Sequence, residues 1–141
     1  MPKIQAARPV VDLETLHAVI AYRHDVLAHY AKSLRATYRE ELDRLKQWSP
    51  RDAEALKRLR RSLGSLQRMS EAERARLSDA LKNSRALATV VAMRQELVAL
   101  WERSNASKEQ LLRQLQDWCN RADASGIAPL MALSHRMRSY A

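Results

Sequence analysis

A chain of 141 residues holds one hydrophobic core and has little room for a second. Its two glycines and four prolines, set among abundant Ala, Leu, Arg, Glu, Lys and Gln, point to an all-α fold, and a lone cysteine excludes an internal disulfide. The formal charge of +9 favours anionic partners, either nucleic acid or an acidic membrane leaflet, while the longest apolar run, ALATVVAM at 86–93, is too short to span a bilayer.

Residues 1–11, MPKIQAARPVV, carry two prolines and no helical stripe, so an extended arm or linker is expected there, followed by one helical domain over 12–141. The opening lacks the charged-then-apolar pattern of a secretory leader, and a reducing, cytoplasmic setting is expected. Asp12 reads as an N-cap. Apolar residues Leu13, Leu16, Ile20, Leu27, Leu34, Leu42, Leu45 and Trp48 then recur at three, four or seven, which predicts one long amphipathic helix reaching about 55 Å. If it projects past the other helices, its apolar stripe would invite a second copy of the chain.

Ser49-Pro50-Arg51-Asp52 predicts a restart, with serine as cap, proline at the first helical position and an acid in the first turn. The second helix would turn Ala53, Leu56, Leu59, Leu63 and Leu66 inward, with Gly64 weakening it slightly. Ser70-Glu71-Ala72-Glu73 is a capping box for a short third helix ending near Lys82. Ser84 would cap a fourth, whose stripe is Leu87, Val90, Val91, Leu97, Val98 and Trp101.

Ser107-Lys108-Glu109-Gln110 is a further capping box, opening a helix with Leu111, Leu112, Leu115, Trp118, Cys119 and Ala122 on one face. Ser125-Gly126-Ile127 closes it, because Gly126 can take the left-handed conformation. Pro129 starts the last helix, through Leu130, Leu133 and Met137 to Tyr140. The pairs Glu40 with Arg44, Glu54 with Arg58, Glu109 with Arg113 and Asp117 with Arg121 are spaced to lace solvent faces. The expected architecture is an all-α bundle of about six helices, one long N-terminal helix followed by shorter antiparallel ones.

The segment HDVLAH puts His24 and His29 five positions apart, which on a helix turns the two side chains about 140° from one another. Helical metal pairs use three or four, and His17 lies two turns from His24, so these histidines read as surface or interhelix polar residues. Cys119 beside Trp118 reads as a core thiol. Without a glycine-rich phosphate loop, a nucleophile elbow or converging carboxylates, no catalytic, metal or cofactor site is expected. The densest cation cluster is Lys57, Arg58, Arg60 and Arg61, with Arg51 and Arg68 nearby on the same helix. It reads either as a solvated face offset by Glu54 or as an anion-binding surface, and the absence of aromatics on that helix counts against a reader of single strands.

The stretches DLETLHAVIAYRHDVLAHYAKSL, SRALATVVAMRQELVALWERSNAS and LLRQLQDWCNRADASGIAPL, with the tail HRMRSYA, resemble the cytoplasmic C-terminal extension of bacterial membrane-bound fatty acid desaturases. The most specific part of that resemblance is the signature formed by Trp118, Arg121, Ala122, Ser125, Gly126, Ile127 and Leu130. The second half is also similar to a helical segment of DDE-type insertion-sequence transposases, while the stretch at 12–34 resembles only the desaturase extension. The first resemblance implies a non-catalytic module that docks on a desaturase catalytic domain, an anionic membrane surface or a partner. The second implies a helical piece that contacts DNA backbone, with the acidic catalytic motif of such enzymes lying downstream of this sequence. Neither carries a catalytic residue or a cofactor onto this chain.

Overall fold

The computed structural model describes residues 10–60, 70–82, 84–103 and 105–140, and these form an all-α fold. Seven helices occur among the described residues: α1 (Leu13–Ala21), α2 (Arg23–Trp48), α3 (Pro50–Arg58), α4 (Glu71–Ala80), α5 (Arg85–Glu102), α6 (Lys108–Ala124) and α7 (Ala128–Arg138). No helix there is long and apolar enough to cross a membrane. The chain divides into two compact units, Met1–Ser33 with Met93–Ala141, and Leu34–Ala92. The arm expected over 1–11 lies almost wholly outside the described residues, as do Leu63 and Leu66 of the expected second stripe and Gly64 of the same expected helix.

The helix starts follow from local chemistry. Asp12 caps α1 by accepting from the Thr15 amide at 2.9 Å, and Thr15 Oγ1 accepts from the Asp12 amide in return. Ser49 accepts from the Asp52 amide ahead of Pro50, Ser70 from that of Glu73, and Ser107 forms a complete capping box with Gln110. At the other end of α6, Gly126 adopts φ +73, which an L side chain disfavours, and the chain re-enters a helix through buried Ile127 and Pro129.

The long first helix is interrupted. It ends at Ala21 and restarts at Arg23, with Tyr22 at φ −100 and ψ 33 between. The indole N–H of Trp101 donates to the carbonyl of Val19 at 3.3 Å. In an unbroken helix that oxygen would serve the amide of residue 23, so a side chain from α5 enters the ladder at the point where it bends. The buried stripe also differs from the expected one: Leu16, Val19, Val26, Tyr30, Leu34, Thr37 and Leu45 are buried, while Leu13, Ile20 and Trp48 stand exposed. Once the two segments turn independently, a single period no longer describes both.

In the first unit α6 packs on α7, and α1 on both. Trp118 is at its centre, 2% exposed, donating to the Met93 carbonyl at 2.8 Å and tilted against Tyr30 at 6.2 Å. Leu97, Leu115, Cys119, Leu130 and Met137 are fully buried in the same unit. Polar ties join its elements: Ser134 donates to the Cys119 carbonyl, Ser33 to that of Pro129, and Arg138 pairs with Asp123 at 2.5 Å in a largely buried setting. Beyond the end of α7, Tyr140 stacks on Tyr22 at 5.6 Å and donates its hydroxyl proton to Asp25, to which Arg136 also donates. The Tyr140 hydrogen bond, with Arg136 and His29 adding charge, holds the Asp25 carboxyl below its usual range.

The second unit buries Leu34, Thr37 and Leu45 of α2, Ala53 and Leu56 of α3, Leu77 of α4 and Leu87 and Val90 of α5. Its polar lock is Ser84, 2% exposed, which caps α5 through the Leu87 amide and donates to Glu41 at 2.6 Å. Arg44 pairs with Glu41 three residues before it, in place of the expected Glu40, and Lys57 takes Glu54 in place of Arg58. The expected pairs Glu109 with Arg113 and Asp117 with Arg121 form at 4.0 and 2.8 Å.

Candidate nucleic-acid interface

Positive charge is concentrated in the second unit. Residues 34–92 carry fourteen Lys and Arg against eight Asp and Glu, and the remainder of the chain eleven against eight. Helix α3 supplies the exposed cations Arg51, Lys57 and Arg58, and Arg60 follows just beyond its cap residue Leu59. Arg51 and Arg58 are seven apart and so nearly in line, on the side away from buried Ala53 and Leu56. Lys57 is tied to Glu54 at 3.2 Å. Arg61 and Arg68, the other two candidates for anion binding, lie outside the described residues.

At the N-terminal side of α3 the structure adds a group that periodicity misplaces. Trp48, assigned by its spacing to the buried stripe, is 80% exposed at the last position of α2. Only Ser49 separates it from α3, and the flanking cations Arg44, Lys46 and Arg51 are exposed as well. The other two tryptophans are bound into the first unit through their indole N–H groups, Trp101 to Val19 and Trp118 to Met93. A stripe count cannot tell the last residue of a helix from an interior one. The available sign was its place directly before Ser-Pro, among cations.

The seven signature residues meet at the α6–α7 corner and its flanks. Trp118, Ala122, Ile127 and Leu130 are buried, and Ser125 donates to the Ala122 carbonyl at 2.7 Å while accepting from the Ile127 amide. Arg121 makes a two-pronged ion pair with Glu96 at 2.7 and 2.8 Å and a further bond to Asp117, and Glu96 foremost raises its pKa. These residues border a cleft of about 290 Å³ lined by Glu96, Leu100, Arg103, Gln114, Asp117 and Arg121. With two carboxylates on its guanidinium, Arg121 offers that cleft little net charge.

Described carboxylates are engaged at several places: Asp12 in a cap, Asp25 on Tyr140, Glu41 on Ser84 and Arg44, Asp79 on Lys82, Glu96 and Asp117 together on Arg121, and Asp123 on Arg138. His17 and His24 are exposed, and His29 lies 3.6 Å from Asp25. Among the described residues no three or more His, Cys, Asp or Glu converge as a metal group would require. Burial pushes the Cys119 thiol up, away from the reactive thiolate.

A family model described as transposase, of the DDE type and the ISL3 group, matches residues 17–141. No curated protein matches, and neither does any solved structure. The match takes in most of the 12–34 stretch, for which only the desaturase extension had offered a likeness, and no finding supports that extension or a membrane partner.

Proposed function

This chain belongs to the ISL3 family of DDE-type transposases, and on that premise we propose that it serves as a non-catalytic helical portion of such an enzyme, contacting the DNA backbone through the basic surface of residues 34–92. The observation that carries the reading is the family match along nearly the whole chain. The charge supports it: exposed cations on α3 and on the last turn of α2 outnumber the acids beside them, and guanidinium and ammonium groups on helix faces are suited to phosphate. The expected compartment is the cytoplasm.

Phosphate contacts release condensed counterions, so affinity falls with salt at a log-log slope of about −0.9 per contact. We expect anisotropy titrations with labelled duplex to give a steep slope, and the variant Arg51→Glu/Arg58→Glu to make it shallower by about 2 while weakening binding at every salt concentration. A wild-type chain that forms no complex with duplex or single-stranded DNA even in dilute buffer would remove the DNA reading.

A further inference from the structure

We propose that Trp48, at the corner between α2 and α3, is a stacking platform for an unpaired nucleobase, so that the DNA this module takes up is single-stranded or locally unpaired. The inference rests on the DNA reading above and narrows it. Its starting point is the indole, 80% exposed at the last position of α2.

The corner holds that ring on rigid backbone. The Ser49 amide donates to the Leu45 carbonyl at 2.7 Å and the Ala53 amide to the Ser49 carbonyl at 3.0 Å, so helical hydrogen bonding runs up to the joint on both sides. Leu45, one turn before Trp48, is buried, and so are Ala53 and Leu56 after it. The ring is therefore presented by anchored helix ends, with little backbone entropy to lose on contact.

The surroundings favour a ligand of mixed character. The other exposed large apolar side chains among the described residues, Val10, Leu13, Ile20 and Tyr22, all belong to the other unit, so among the described residues of its own unit Trp48 is the exposed large apolar side chain. A protein-binding hot spot is usually ringed by further packing groups. Here the sequence neighbours are Lys46, Arg51 and Arg44, the last held by Glu41 through two hydrogen bonds, with Asp43 and Asp52 as the further acids of the stretch, and Asp52 is part of the α3 first turn. An exposed aromatic beside cations is an arrangement that receives a base face and its phosphates, and away from strand ends stacking is available only to a base that has left the duplex. Read from sequence, α3 carries no aromatic of its own; the structure places one at its threshold.

The test compares a labelled oligothymidylate with a duplex of equal length, using the full chain in low salt. Wild type, Trp48→Ala, Trp48→Phe and Arg51→Glu/Arg58→Glu are titrated by anisotropy, and circular dichroism melts check that each is folded. Trp48→Ala is expected to lose about tenfold in single-strand affinity relative to duplex, Trp48→Phe to keep most of it, and the oligothymidylate to quench wild-type tryptophan fluorescence but not that of Trp48→Phe. If wild type binds DNA and the charge variant weakens it while Trp48→Ala keeps the wild-type preference, the stacking role falls and the backbone reading stands. If wild type binds neither strand form, both fall. A Trp48→Ala change that dissociates a dimer without altering DNA affinity would assign the indole to a second copy and overturn the proposal.

Discussion

Trp118 and Trp48 show how far one residue type can diverge in role within a single chain. Trp118 is 2% exposed, with its indole N–H satisfied by the Met93 carbonyl and its ring against Tyr30, so truncation would open a cavity at the centre of the unit. Trp118→Ala is expected to cost about 4 kcal/mol, read as a fall in the chemical-denaturation midpoint, whereas Trp48→Ala should stay within about 0.5 kcal/mol of wild type. Their sequence settings hinted at the difference: Trp118 lies in a run with Leu115, Cys119 and Ala122 at helical spacing, and Trp48 is the last residue before a Ser-Pro cap. The period alone placed both inward. What separates them is that a helix-terminal side chain has no following turn to press it against a neighbour.

At the scale of elements, the helix starts were legible because a cap is a local contract between a side chain and an amide three residues on. Asp12, Ser49, Ser70, Ser84 and Ser107 all take the position their spacing predicted. The break at Tyr22 was not legible, since the contact found beside it is made by Trp101, 82 residues away in sequence, which donates to the Val19 carbonyl. Ser84 also does more than cap: by donating to Glu41 it links the start of α5 to the middle of α2. Burial pushes the Glu41 carboxyl up, but hydrogen bonds from Arg44 and Ser84, together with the Arg44 charge, outweigh it and hold the carboxyl below the ordinary glutamate value. A carboxyl depressed on folding stabilises above its unfolded pKa and loses that contribution as pH falls through the folded value. We therefore expect Glu41→Gln to melt below wild type at neutral pH, with the gap closing progressively below pH 4.5.

For the molecule as a whole, charge and family match together set the partner expectation. A surface that binds through phosphate carries no base code, so duplexes of unrelated sequence should compete for the chain within a few-fold of each other, as measured by unlabelled competitor in the anisotropy assay. A single duplex preferred by a hundredfold or more would instead require base-edge readers, which α3 would have to supply through Arg51 or Arg58. The sequence by itself determined the helical class, the caps, the Gly126 corner and the excess of cations, because propensity, capping and net charge depend on residues close together in the chain or on their sum. Only the tertiary structure decided where the first helix bends, which of its faces is covered, that Arg44 and Lys57 choose Glu41 and Glu54, and that Trp48 faces water. Those outcomes depend on which distant side chain arrives at a given backbone atom, and no local pattern encodes that arrival.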